Sequence, residues 1–201
     1  MAIIWPILAS LFFAVRLVLM VALHLVPSGY HPIKHAFSDY AVGPTKRLAA
    51  LASFSNTLAW CALAVAIASW PGEWSYRGAA VFQLVALAVL SVAVVFVPTD
   101  LEGEKRSIRG VIHYAVAIAT FALAYSLTGD TARWSAGFAP DWLSGSLTAL
   151  SWLALVGLIA LCAGLVLPLL RPYFGGLERI FLFSITVFYL LLSIALTFFR
   201  T

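Results

Sequence analysis

The chain has 201 residues, of which 63% are hydrophobic and only 10% charged, and it carries a formal net charge of +4. Soluble domains hold roughly 25% charged side chains, so a mean hydropathy of +1.02 places this chain in lipid rather than in water. No basic-aromatic nucleic-acid motif accompanies the twelve Lys and Arg residues, and the positive balance describes membrane topology and contact with anionic headgroups.

A hydrocarbon core of about 30 Å is crossed by about 20 apolar residues. Stretches of that kind lie at about 3–26, 46–70, 76–98, 109–128, 143–170 and 177–199, separated by charge, Pro and Gly. The fold class expected is an all-α integral membrane protein, a single six-helix bundle over 1–201 with nothing left for a soluble domain. The first segment is too long for a signal-peptide core, and Pro27 follows it without a small-residue cleavage pattern, so it reads as a retained helix. Arg16 sits at its centre, about 15 Å from either end, and His24 near its far end. The second segment carries Asn56 at a similar depth, and the third carries Gln83. These intramembrane polar groups are expensive in lipid and are candidates for a proton path. Cys61 and Cys162 fall inside spans and read as small packing residues.

The odd-numbered spans end alike, at Val26-Pro27, Val97-Pro98 and Leu167-Pro168. This suggests three helical hairpins in tandem, although evenly spaced helices produce the same period. One membrane face, here face A, receives Lys34, Lys46, Arg47, Lys105, Arg106, Arg109, Arg171 and Arg179; the opposite face B receives Arg77, Arg133 and Arg200. The positive-inside rule then makes the connections 27–45, 99–108 and 171–176 cytoplasmic and puts both termini outside. Trp5, Trp70, Trp74, Trp134 and Trp142 near face B read as an aromatic belt.

Chemistry, if any, gathers at face A. In "GYHPIKHAFSDYAVGP" (29–44), Pro32 in a first helical turn would put His31 near the cap and His35 and Asp39 on one side, a spacing that suits metal ligands. Asp100 follows the third span, and His113 lies about one turn inside the fourth. His113, Asp100 and Asp39 are the candidate catalytic groups if the protein is an enzyme. His35, Asp39, Asp100 and His113 are the candidate zinc ligands, with a water position left open. His24 and His113 are the candidate axial pair for haem b. No cofactor is the leading expectation. In the plainer reading, Asp39 and Asp100 cap helices or tie loops to basic neighbours, while Lys34, Lys46, Arg47 and Arg109 meet lipid headgroups.

The segments "SGYHPIKHAFSDYAVGP", "FVPTD" and "RGVIHYAVA" together resemble a bacterial family of six-helix membrane proteins known only as domain of unknown function 998. The Ser-Asp loop is also similar, more distantly, to that of the Frag-one/DRAM/Sfk-one membrane proteins, which are associated with lipid handling. The first resemblance covers nearly the whole chain and implies a multi-pass protein of the bacterial inner membrane. Its pattern carries an acidic residue where this chain has His31. The resemblances point to Ser38-Asp39, Asp100 and His113 as positions to suspect, and carry no catalytic residue. The expected function is lipid binding, or service as an accessory subunit beside other membrane proteins. A metal-dependent lipid hydrolase and a proton-coupled transporter using Arg16, Asn56 and Gln83 are the alternatives.

Overall fold

The computed structural model describes residues 3–100 and 107–199. Lys105, Arg106 and Arg200, which entered the charge count, lie outside the described residues. The helices are α1 (Ile4–Leu25), α2 (Lys46–Ala68), α3 (Arg77–Phe96), α4 (Ile108–Ser126), α5 (Thr128–Ser135), α6 (Asp141–Val166) and α7 (Phe174–Phe198). Six spans are long and apolar enough to cross a membrane, with α4 and α5 counted as one. The described residues contain no strand. In lipid this is required physics, because a spanning segment must satisfy its own backbone hydrogen bonds.

Consecutive long helices are neighbours, as a hairpin order expects, and α7 returns to pack on α1 as well as α6, joining the pairs into a ring. Close packing rather than water exclusion holds such a ring together. At its centre Phe13 of α1 meets the edge of Trp60 of α2, with ring centroids 5.0 Å apart, and Tyr189 of α7 packs on Trp60 at 4.6 Å. The Tyr189 hydroxyl donates to the Ala124 carbonyl at 2.7 Å, tying α4 to the core. Between α6 and α7, Gly157 lets the helices approach so closely that a Cβ there would lie 2.7 Å from the Phe181 nitrogen.

Three local features depart from the sequence expectation. The stretch 129–142 contains α5, because Thr131 satisfies its hydroxyl on the Leu127 and Thr128 carbonyls, and Thr128 bonds Ser151 of α6. Three of the face-B tryptophans pack on one another instead of forming an outward belt. Trp74 stacks on Trp134 at 4.5 Å and Trp70 meets Trp134 edge-on, whereas Trp142 faces outward. Finally, α7 begins at Phe174, earlier than 177. Gly175 fits in its first turn because the carbonyls of Pro32 and His35 occupy the space a Cβ would need. That early start carries Glu178 and Arg179 inward, where both are buried.

Candidate functional site

The connection between α1 and α2 is a lid pinned to the start of α7. Gly29 and Gly43 turn it with positive φ of 77° and 76°, a region that glycine enters without steric penalty. The Gly176 N–H donates to the Ile33 carbonyl at 3.0 Å, and the Phe37 N–H donates to Glu178 Oε2 at 2.5 Å. Arg179 supplies the third tie. Its Nη1 donates to the carbonyls of His35 (2.9 Å) and Gly175 (2.8 Å), its Nε donates to His24 Nε2 (2.6 Å), and its guanidinium lies over Tyr40 and Phe37. His24 Nδ1 donates in turn to the Met20 carbonyl, which can only accept. These bonds therefore fix the tautomer of His24 and use both of its nitrogens.

Under the lid lies a cavity of about 310 Å³. Ala36, Phe37, Ser38 and Ala41 roof it, α2, α3 and α7 form its inner wall, and α4 and α6 form the outer one. Along the outer wall, Tyr114, Ile118 and Ala122 of α4 recur at helical spacing, opposite Cys162 and Leu165 of α6. All five line the cavity, and all five are exposed on the lipid-facing surface. Residues that belong to both surfaces mark a lateral slot. The seam is thin because α4 leans on α3 and barely touches α6.

Polar groups occupy both ends of the cavity. At the lid end are Glu178 and His113; further along is Arg16, with Asn56 one turn along α2 from the Ala52 carbonyl that Arg16 reaches. Arg16 Nε reaches Thr186 Oγ1 at 3.5 Å and Nη1 reaches the Ala52 carbonyl at 3.3 Å, both long, and no carboxylate pairs with it among the described residues. Asn56 Nδ2 donates to Ser91 Oγ at 3.2 Å. Trp60, 2% exposed, also lines the cavity, and its indole N–H has no acceptor among the described residues. Gln83 stands apart near the face-B end of α3, where Ser126 donates to it at 3.5 Å, so it does not extend the Arg16–Asn56 pair into a continuous path.

The face-A cluster expected from sequence is divided among separate structural tasks. Ala36 is extended (ψ 154°) and breaks the helix that would have aligned His35 with Asp39. His35 Nδ1 accepts from the His31 N–H at 2.8 Å, and Asp39 Oδ2 accepts from the Ala36 N–H at 3.1 Å. His31 Nδ1 accepts from the Ile33 N–H at 3.3 Å within the turn. His113 Nδ1 donates to the Val97 carbonyl at 2.7 Å, which the helix end before Pro98 leaves open. Asp100 is hydrogen-bonded at the start of α4 rather than to His113: its oxygens accept from the Ser107 N–H and hydroxyl, each at 2.7 Å, and Ser107 Oγ accepts from the Gly110 N–H. Among the described residues no three His, Cys, Asp or Glu side chains are grouped as metal ligands. The four candidate zinc ligands are therefore not brought together, and an iron on His24 Nε2 would have to displace the Arg179 N–H that occupies it. Lys34, Lys46, Arg47 and Arg109 are exposed on face A without ion pairs among the described residues.

The hydroxyl and N–H of Ser107 hold the Asp100 carboxyl below its ordinary pKa. A depressed folded-state pKa gives stability that is full above the unfolded value and is lost as pH falls through the folded one. Asp100→Ala is expected to lower the melting temperature at neutral pH, and thermal scans should show the gap from wild type closing in acid. A gap that does not change with pH would contradict the cap.

The family model described as Protein of unknown function (DUF998) matches residues 7–195, from the first turns of α1 to the last turns of α7. The chain belongs to the DUF998 family. No curated protein and no solved structure matches it. In this DUF998 chain the site residues that sequence reasoning missed are Trp60, Glu178 and Arg179. A Glu-Arg pair directly after Gly-Gly looks like a face-A turn. The signal that could have placed it inward is that the same Gly-Gly permits close approach of another backbone.

Proposed function

We propose that this multi-pass DUF998 protein binds a membrane lipid inside its helical bundle, taking it from the bilayer through the slot between α4 and α6. The observation that carries this reading is the set of residues that line the cavity and face lipid at once. Few other geometries give an apolar chain a route from the hydrocarbon into a protein interior without crossing water. The lid of residues 36–41 closes the cavity toward face A, and Lys34, Lys46, Arg47 and Arg109 surround that end with charge that suits the anionic headgroups of the surrounding bilayer. In the orientation favoured by charge counting, face A is the cytoplasmic side of a bacterial inner membrane.

The test is native mass spectrometry of the protein released from its membrane. Wild type should retain a lipid mass. Ala117→Trp, which places an indole in the cavity, should reduce that occupancy about tenfold or more, equivalent to ~1.4 kcal/mol. Val111→Trp, on the outer face of α4, should retain it. Equal lipid retention by both folded variants would sink the proposal.

A further inference from the structure

The two ends of the cavity differ in charge. Glu178 lies at the lid end, eight residues along α7 from the Arg16 partner Thr186, a separation of about 12 Å. Among the described residues Arg16 is the one Lys or Arg side chain that lines the cavity. A guanidinium has five N–H donors, and Arg16 uses only Nε and Nη1, in two long bonds. A cation in the hydrocarbon is costly, and its cost falls when an anion lies beside it. Asn56 presents a second donor, because its amide has two N–H groups and one bond to Ser91. On α2 the Ala52 carbonyl that holds Arg16 and the Asn56 side chain are four residues apart, so both lie on one helical face. A guanidinium and an amide N–H that line one cavity fit a compact oxyanion.

We propose that Arg16 and Asn56 form the seat for the acidic end of a single-chain amphiphile, a carboxylate or a phosphate monoester. The inference rests on the lipid-binding reading and adds both the ligand class and its orientation. The acid enters head-first to mid-membrane, away from Glu178, and the chain lies along Ala117, Phe121 and Leu161 toward the slot. The volume agrees with one chain. At about 310 Å³ the cavity is at the lower end of small-ligand pockets, which leaves no room for a complete two-chain phospholipid.

Equilibrium binding to the purified protein in detergent tests this with three probes that share one chain: hexadecanoic acid, hexadecyl phosphate and hexadecanol. At least one acid should bind wild type about tenfold or more tightly than the alcohol, as hydrogen bonds to a charged group require. Which acid binds better separates a free carboxylate lipid from a phosphorylated one. Arg16→Met should abolish the preference while hexadecanol still binds. Asn56→Leu, which keeps the size and removes the amide, should weaken the acid about fivefold and leave the alcohol unchanged. Equal binding of acid and alcohol to wild type, or a preference that survives in Arg16→Met, overturns the acid seat and leaves lipid binding standing. If Arg16→Met does not fold, the wild-type preference and the Asn56→Leu result decide the matter. Failure of all three probes to bind overturns both readings.

Discussion

Arg179→Met will release the lid and lower the stability of the folded protein by about 3 kcal/mol or more. The guanidinium makes three hydrogen bonds, to His24, His35 and Gly175, and covers the rings of Phe37 and Tyr40. Methionine keeps the apolar stem and removes every one of these bonds. His24 Nε2 and the His35 carbonyl then lose their donor in a half-buried place, and Glu178 loses its cationic neighbour. Arg179→Lys should recover only part of the loss, because an ammonium cannot reproduce the planar fork that reaches a carbonyl and an imidazole together. Thermal unfolding in detergent measures the first effect, and limited proteolysis within 27–45 reports the second. Unchanged stability and an uncut loop would show that the lid is held by something other than α7.

Gly157→Leu will disrupt the bundle more than any single change on the α4 side of the slot. A Cβ at Gly157 meets the Phe181 backbone nitrogen at 2.7 Å and its Cα at 3.0 Å, atoms that cannot turn aside as a side chain would. Helices α6 and α7 must separate, and overpacking of this kind costs about 1–3 kcal/mol even for small additions. Leucine should exceed that range, and Gly157→Ala should fall within it. A graded loss of melting temperature from Gly to Ala to Leu is expected. The contrast matters for function, because α6 and α7 then form a fixed wall, and the thin contact between α4 and α6 is where the cavity opens. A tolerant Gly157 would place the flexible seam elsewhere.

Much of the fold is legible in the sequence because lipid imposes one rule on every span. About 20 apolar residues between charges are enough to find six crossings, and the positions of Arg16 and Asn56 along their helices bring them to within a turn of each other. The cavity is less legible, because it depends on what is missing between α4 and α6, and small residues such as Ala117 and Ala122 look the same whether they pack or line a void. Trp60 illustrates this: it reads as one more core aromatic, and only the packing of Phe13 and Tyr189 around it leaves its N–H without a partner. The face-A carboxylates fail for a different reason. Asp39 and Asp100 have the spacing of site residues, but a chain end or turn nearby always offers an N–H, and here Ala36 and Ser107 take them. Glu178 and Arg179 are hidden by Gly175-Gly176, which propensity reads as a break and tertiary contact converts into the opening of α7.

The central claim is that a lipid chain enters the bundle beneath the lid. Photolabelling with a lipid that carries a diazirine on its chain, in a bilayer, addresses it most directly. Leu161 is 4% exposed and Phe181 fully buried, so a chain in the bilayer reaches them only through the cavity, whereas Phe82 and Ile159 face the lipid at 73% and 60% exposure. Adducts on Leu161, Phe121 or Phe181 that disappear in Ala117→Trp are expected. Adducts confined to outward residues such as Phe82 and Ile159, in wild type and variant alike, would contradict it.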